Sequence, residues 1–591
     1  MNNYFKKIRR VDQITFFVIL FILIILLRSF NLQFTESEKY SSLIKNYEIK
    51  EHIISTSRGS IVDRNNIVLA ESIPMKTLII SNKEKFLQDH LAFKKLCKII
   101  NIDFEYLLKK VKKKENKRFI RIRELRLLSS DNANKISRLN IKGIYFIKEF
   151  KRYYPEGETF ASLIGMTNID HIGHMGLESS YDSSLAGVNG KKKVMIDRQG
   201  TIVKEIKEIK KPKEGSKLVL TVDARLQYVA YRELKKQVRK VDAKSGSVII
   251  LDSTNGDILA TASYPSYDPN DNSTYTVEAE RNRGIIDSLE PASTIKPFVL
   301  TAALYSEKVN LSDKFNTNPG YKKMGRKTYR DVSNFGELTS EGVIIKSSNL
   351  GSIMILEKFN KKIFYDLLEH VGFGEKINLN FPSEVEGSLP HHSDWKKTDV
   401  RSLAQGYHCR VSPLQLAKAY SAIANNGLVI NPRLIKKNKI DIFEDKKYEK
   451  EFNKVKNVIK KVIDEGSAQR AAIHGYTAGG KTGTAELYVG GKNKNKYSSE
   501  KHTGLFAGIA PLKNPKLVIV VVINQPSNEK FGGVVAAPVF KKIATDSLRI
   551  LNISPDNIDA YEKKVLNKVK KQNSYTYKNP EVNNVFWINR Y

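Results

Sequence analysis

The stretch Pro291-Ala292-Ser293-Thr294-Ile295-Lys296-Pro297-Phe298 decides how the chain is read. On a helix, Ser293 and Lys296 are three apart and share a face. A serine hydroxyl is a poor nucleophile unless a base takes its proton, and a desolvated neutral lysine can be that base. Pro297 has no N–H, which costs little only among the donors of a helix's first turn. The helix is therefore expected to start close to Ser293, with its positive dipole end toward an oxyanion formed there. Alone, S-x-x-K is weak, because surface helices carry the same spacing by chance.

Two further clusters stand downstream. In Lys346-Ser347-Ser348-Asn349 a hydroxyl and an amide two residues apart can face one cleft from a loop, the first to relay a proton and the second to bind a carbonyl. By itself this is only a turn. The segment Gly475-Tyr476-Thr477-Ala478-Gly479-Gly480-Lys481-Thr482 satisfies the phosphate-loop pattern G-x-x-x-x-G-K-T in full. A phosphate loop needs a buried strand before it and a helix after it. Here Gln469–His474 is no apolar strand, and Gly483–Gly491 reads as a strand ending in glycines. The same residues on an edge strand would present Lys481 with the Thr482 and Thr484 hydroxyls to a carboxylate. That reading is preferred, and no nucleotide is expected.

Composition narrows the classes. The chain has 591 residues, 41% hydrophobic and 27% charged, enough for several domains with a large core. Lys+Arg number 99 against 63 Asp+Glu, a net charge of +36. A nucleic-acid partner is one reading of that excess. The basic residues are scattered along the whole chain, however, so compositional drift is preferred and no nucleic acid is expected. Anionic wall polymer or lipid headgroups are the partners if the charge has a role. The two cysteines, Cys97 and Cys409, exclude a disulfide scaffold, a four-cysteine zinc site and an iron–sulfur cluster. Cys97 lies in the apolar periodicity of Phe93, Leu96, Ile99 and Ile100 and is expected in a core. His171 with His174, and His391 with His392, have no acidic or cysteine partner and read as loop histidines. No metal site is expected.

Residues 14–27 read ITFFVILFILIILL, apolar apart from Thr15. At ~1.5 Å per residue this run spans about 21 Å, short of a bilayer core of roughly 30 Å; counting from Val11 to Leu32 repairs the length. Lys6, Lys7, Arg9 and Arg10 precede it, which puts the N-terminus in the cytoplasm. No small-residue cleavage site follows, so an uncleaved single-pass anchor is preferred over a secretory signal. The expected division is a cytoplasmic tail at 1–10, an anchor at 11–32, a first extracytoplasmic domain at 51–214, a second at 217–555 and a basic tail at 556–591. Tyr40, Leu43 and Tyr47 suggest a stalk helix, and 86–114 a Lys-rich helical stretch. The Lys210–Ser216 segment reads as the linker. In the second domain, Ser247–Asp252 and Ile258–Ser263 flank Thr254-Asn255-Gly256-Asp257, a hairpin signal, and Gly504–Ala510 pairs similarly with Lys516–Asn524. Two hairpins separated by a long helical middle predict an α+β domain, an antiparallel sheet with helices packed against it.

Taken in this order, S-x-x-K, S-x-N and K-T-G resemble the penicillin-binding proteins and serine β-lactamases. The resemblance runs over nearly the whole chain. Arg58-Gly59-Ser60-Ile61-Val62-Asp63-Arg64-Asn65-Asn66 is similar to the R-G-x-I-x-D-R-N-G box of class B penicillin-binding proteins, with Asn66, which tolerates the left-handed region, in place of Gly. Tyr153-Tyr154-Pro155, Gly176-Leu177-Glu178, Tyr181-Asp182 and Leu185-Ala186-Gly187 resemble that family's pedestal. Asn282-Arg283, Glu290-Pro291, Ser412–Ala417, Lys496-Tyr497 and Ala536–Phe540 look most like its septal subgroup. Ala292 stands where the family usually has Gly, and Tyr407-His408-Cys409 where a Tyr-Gly-Leu run is usual.

The resemblance implies a membrane-anchored α+β protein with a mixed pedestal and a penicillin-binding domain. The implied activity is that of a D,D-transpeptidase that cross-links stem peptides of septal peptidoglycan, inhibited by β-lactams and using no cofactor. It implies Ser293 as nucleophile and Lys296 as its base. Ser347 and Lys481 would relay a proton, Asn349 would hold the donor peptide, and Thr482, Gly483 and Thr484 would form the wall that takes the terminal carboxylate. It also implies a membrane-embedded glycan polymerase and other division proteins as partners, at the division site of a bacterial inner membrane. An elongation-specific paralogue, a β-lactamase and a catalytically silent scaffold are the rival readings.

Overall fold

A computed structural model describes residues 2–37, 47–81, 83–113, 120–197, 202–436, 442–443, 447–489 and 496–557. The basic tail beyond 557 lies outside the described residues, as does most of the expected stalk helix. Where that stalk becomes visible, Tyr47–Ile54 is a strand. A helix from Asn2 to Phe30 continues as a wider π turn through Thr35, and Asp12–Thr35 is long and apolar enough to cross a membrane.

The described residues group into two units. One draws on 1–59, 72–152 and 186–216, the other on 60–71, 153–185 and 217–557. The packing is therefore interleaved along the chain. Segments of the Arg58–Asn66 box and of the Tyr153–Leu185 stretch belong with the larger unit.

In the smaller unit, the Lys-rich stretch is three helices, Lys83–Gln88, His90–Ile99 and Phe104–Lys113. Polar side chains punctuate it. The Asp89 carboxylate accepts from Ala92 N, Asp103 accepts from Tyr106 N, and Asn101 takes the left-handed region at φ 52°. Their apolar faces close on Leu78, Ile80, Phe86, Phe93 and Leu107, and Cys97 is a member of that core. A separate antiparallel sheet pairs Gly190–Asp197 with Tyr47–Ile54 on one side and Ile202–Lys210 on the other.

The larger unit is built on a five-stranded antiparallel sheet. Its strands are β1 (Ala243–Asp252), β2 (Ile258–Tyr264), β3 (Gly479–Val489), β4 (Lys496–Ala510) and β5 (Leu517–Pro526), in the order β3-β4-β5-β1-β2. The β1–β2 turn follows the hairpin signal: Gly256 takes φ 75° and Asn255 Oδ1 accepts from Asp257 N. Central β5 reads LVIVVVI and is buried on both faces, so it does not alternate. Helix α1 (Ala224–Lys240) covers one face, where Leu234 and Val238 approach Gly246 of β1. Ile249, three residues on and thus on the other face, approaches Gly284.

The Arg58–Asn66 box has a structural explanation. The buried Asp63 carboxylate accepts from Asn65 N, Ile67 N and Ala224 N at 2.7, 2.8 and 3.1 Å, tying a tight turn to the first residue of α1. Asn66 adopts φ 66°, the left-handed conformation that makes Asn a fair substitute for Gly there. Of the expected strand Lys217–Val222 only Leu218–Val219 is laddered, parallel to Ile61–Val62.

Candidate active site

Ser293 stands on a single 3₁₀ turn, Ala292–Ile295, that runs into α2 (Lys296–Tyr305), with Pro297 in the first α turn. The hydroxyl of Tyr420, from α5 (Pro413–Ala424), donates to Thr294 O at 2.9 Å. The Ala292 N–H donates to Gly406 O at 3.0 Å. Ala292 itself sits at φ 49°. His408 takes φ 69°, and its N–H donates to Glu290 Oε1 at 3.3 Å. Both departures from the family pattern thus put a side chain where glycine is strain-free.

The second cluster is a junction between two helices and not a loop. Helix α3 (Ser340–Lys346) ends at Ser347, which adopts the left-handed conformation, φ 63° and ψ 34°. Ser348 then caps α4 (Asn349–Leu356), its hydroxyl accepting from Gly351 N at 2.9 Å. The reversal aims both oxygens of Ser347 at lysines. Its carbonyl accepts from Lys296 Nζ at 2.7 Å and its hydroxyl from Lys481 Nζ at 2.8 Å.

The third cluster lies on β3, which among the described residues pairs only with β4 and so forms the sheet's edge. Gly479 opens the strand, and a strand, not a helix, follows Lys481 and Thr482, as the carboxylate reading requires. Gly483 is needed for close approach: a Cβ there would lie 3.0 Å from Thr294 Cγ2 and 3.1 Å from Pro291 O. The Thr484 hydroxyl accepts from Gly532 N at 3.1 Å and keeps its own proton to donate.

Lys296 and Lys481 are both fully buried. Burial disfavours the charged amine and depresses Lys296 to about 7, an effect opposed by the Asp331 carboxylate. Lys481 is pushed well below the usual lysine range, by burial first and by the charge of Lys296 second. An amine so depressed can accept a proton near neutral pH.

Ser293, Ser347, Asn349, Thr482, Gly483 and Thr484 line one cleft of about 690 Å³. Lys327, Arg330, Lys346 and Arg470 also line it, against Glu486, which favours an anionic ligand. Asn349 is engaged within the protein. Its Oδ1 accepts from Lys296 Nζ at 2.8 Å and its Nδ2 donates to Arg330 O at 3.0 Å.

Sequence reading passed over Asp331 and Ser467. The Asp331 carboxylate accepts from Ser348 Oγ at 2.7 Å, and Ser467 Oγ lies 3.2 Å from Thr482 Oγ1. Neither stands in a motif, and only the folded chain brings them to the site.

A serine hydroxyl in a cleft shared with Ser347 and Asn349, with two buried lysines held behind those residues, fits a serine acyl-transfer site of the penicillin-binding type. Residues 246–545 match the penicillin binding protein transpeptidase domain, and residues 53–220 match the penicillin-binding protein dimerisation domain. The chain is 37% identical over 514 residues, 86% of its length and 87% of the relative's, to the probable peptidoglycan D,D-transpeptidase PenA of Neisseria meningitidis. It is 36% identical over 519 residues, 86% of each chain, to the peptidoglycan D,D-transpeptidase FtsI of Escherichia coli. Among solved structures, penicillin binding protein 3 from Mycobacterium tuberculosis, complexed with aztreonam, shares the fold with a TM-score of 0.66 at 24% identity, covering 85% of this chain and 98% of that one. The chain belongs to the class B penicillin-binding proteins. Its activity is that of a peptidoglycan D,D-transpeptidase, an enzyme type that works through an acyl-serine.

Proposed function

We propose that this chain cross-links stem peptides of septal peptidoglycan, with Ser293 as nucleophile and Lys296 as base. Lys296 takes the Ser293 proton while Oγ attacks the penultimate D-alanine carbonyl of a donor stem. The amide bond then breaks, and the terminal D-alanine leaves with a proton relayed through Ser347 and Lys481. Thr482 and Thr484, beside Lys481, take the donor carboxylate, and the Ser293 and Thr484 N–H groups stabilise the oxyanion. An amine from a neighbouring stem next attacks the ester, forming the new amide and returning the proton to Ser293.

The single observation that carries this reading is the pair of fully buried lysines held on the two oxygens of Ser347. Such amines have no packing role that a hydrocarbon would not fill better. Asn349 helps to fix Lys296 and borders the donor's path. The likeness to FtsI supports the septal assignment, and with it a membrane-embedded glycan polymerase and other division proteins as partners. The basic residues before the apolar helix support a cytoplasmic N-terminus and an extracytoplasmic catalytic domain at the division site.

The test is covalent labelling of membranes by a fluorescent penicillin. Wild type should label and Ser293→Ala should not, while remaining folded in the membrane; labelling that persists in the variant overturns the assignment. Depletion should give filaments, whereas round cells would assign the chain to elongation.

A further inference from the structure

Asp331 follows the strand Lys327–Arg330 and belongs to none of the three motifs. Its carboxylate accepts from Ser348 Oγ at 2.7 Å, from Leu350 N at 3.1 Å and from Asn349 N, so it caps α4 together with Ser348. The adjacent Arg330 carbonyl takes Asn349 Nδ2 at 3.0 Å. With its nitrogen held there and its backbone held by Asp331, Asn349 turns its oxygen to Lys296 Nζ. The charged groups that face Lys296 are Lys481 from β3 and Asp331 from this turn.

We propose that Asp331 is a positioning residue of the acylation step: acting through Asn349, it fixes the Lys296 nitrogen against Ser347, and its carboxylate charge acts on Lys296. The proposal rests on Lys296 being the base. Three hydrogen bonds to one carboxylate are more than a helix cap of eight residues needs, since Ser348 already supplies a cap to Gly351. Burial lowers Lys296 to about 7 and Asp331 opposes that shift. Removing the charge therefore leaves Lys296 neutral at still lower pH.

The experiment is the rate of acylation by a fluorescent penicillin, as a function of pH, with the full chain in detergent. Wild type is compared with Asp331→Asn, Asp331→Glu and Lys296→Met. Asp331→Asn can still accept from the two backbone N–H groups but loses the charge, and its acid limb should move to lower pH by about one unit. Asp331→Glu keeps the charge on a longer arm, so its limb should stay in place while its plateau falls about tenfold as Asn349 is displaced. A merely structural residue would lower the plateau in both and move neither limb. An acid limb for Asp331→Asn that coincides with wild type overturns the proposal. Should that protein fail to fold, an Asp331→Glu plateau equal to wild type overturns it instead. Acylation surviving in Lys296→Met would show separately that the base has been misassigned.

Discussion

Lys481 Nζ donates to Ser347 Oγ across 2.8 Å, joining the edge strand of the sheet to a helix junction 134 residues earlier in the chain. Because Lys296 Nζ holds the carbonyl of the same serine, one left-handed residue fixes the spacing of both amines. Ser347→Ala keeps the carbonyl contact and removes the hydroxyl. Acylation by penicillin should fall about 10²-fold or more, the usual scale of a lost proton relay, with little change in Tm. Stopped-flow acylation alongside thermal denaturation checks this; an unchanged rate would exclude a relay through Ser347.

Lys296 also sets a pH dependence of stability. Its folded-state value of about 7 lies below the ordinary value of 10.5. Between those two pH values the unfolded chain binds a proton that the folded chain does not, so folding stability rises with pH across that window. Lys296→Met removes this dependence. The variant should be more stable than wild type below about pH 7, by on the order of a few kcal/mol, and should lose that advantage as pH approaches 10.5. Denaturant melts of the two proteins at pH 6.5 and 9.5 give the comparison. An advantage that does not shrink at the higher pH would contradict the burial cost.

Ala292 sits at φ 49°, one residue before Ser293. A left-handed alanine costs roughly 1–2 kcal/mol, partly offset by glycine's greater entropy loss. Ala292→Gly should therefore stabilise the protein by about 0.5–1 kcal/mol while keeping penicillin acylation. His408→Gly, at φ 69°, should shift stability in the same direction. A loss of stability in both would mean that the side chains contribute contacts that outweigh the backbone strain.

Asp63 accepts three backbone N–H groups from within a fully buried position. Asp63→Ala leaves those donors without their acceptor, at a cost of about 2–4 kcal/mol. The folded fraction should still acylate at the wild-type rate, because Asp63 belongs to a turn tied to the start of α1 and not to the cleft. Chemical denaturation and the active-site-normalised acylation rate separate the two effects.

Much of the catalytic apparatus is legible locally. Ser293 and Lys296 are three apart where a 3₁₀ turn runs into a helix, and Pro297 marks where that helix begins. Asn255-Gly256 fixes a turn, and the apolar run of β5 marks a strand buried on both faces. Gly483 followed by Thr484 and Ala485 reads as strand, which removes the phosphate-loop reading that the pattern at 475–482 invites. The Lys-rich stretch at 86–114 does not divide into separate helices on periodicity alone, because Asp89 and Asn101 act through a cap and a left-handed turn that interrupt the helix without breaking its apolar periodicity.

The amino-acid sequence by itself determined the turn that carries Ser293, the strand pairs, the long apolar N-terminal helix and the family, because each depends on residues near one another in the chain or on motifs in a fixed order. Only the tertiary structure decided how the site is charged and held. Burial, not neighbouring sequence, depresses Lys296 and Lys481. The left-handed turn at Ser347 gives one residue two lysine partners from distant segments. Asp331 enters at the end of the strand Lys327–Arg330, which carries no motif, and Asn349 faces Lys296 because Arg330 and Asp331 hold it there. Such relations are set by desolvation and by distances of a few ångströms across the fold, and neither quantity is a property of any short stretch of sequence.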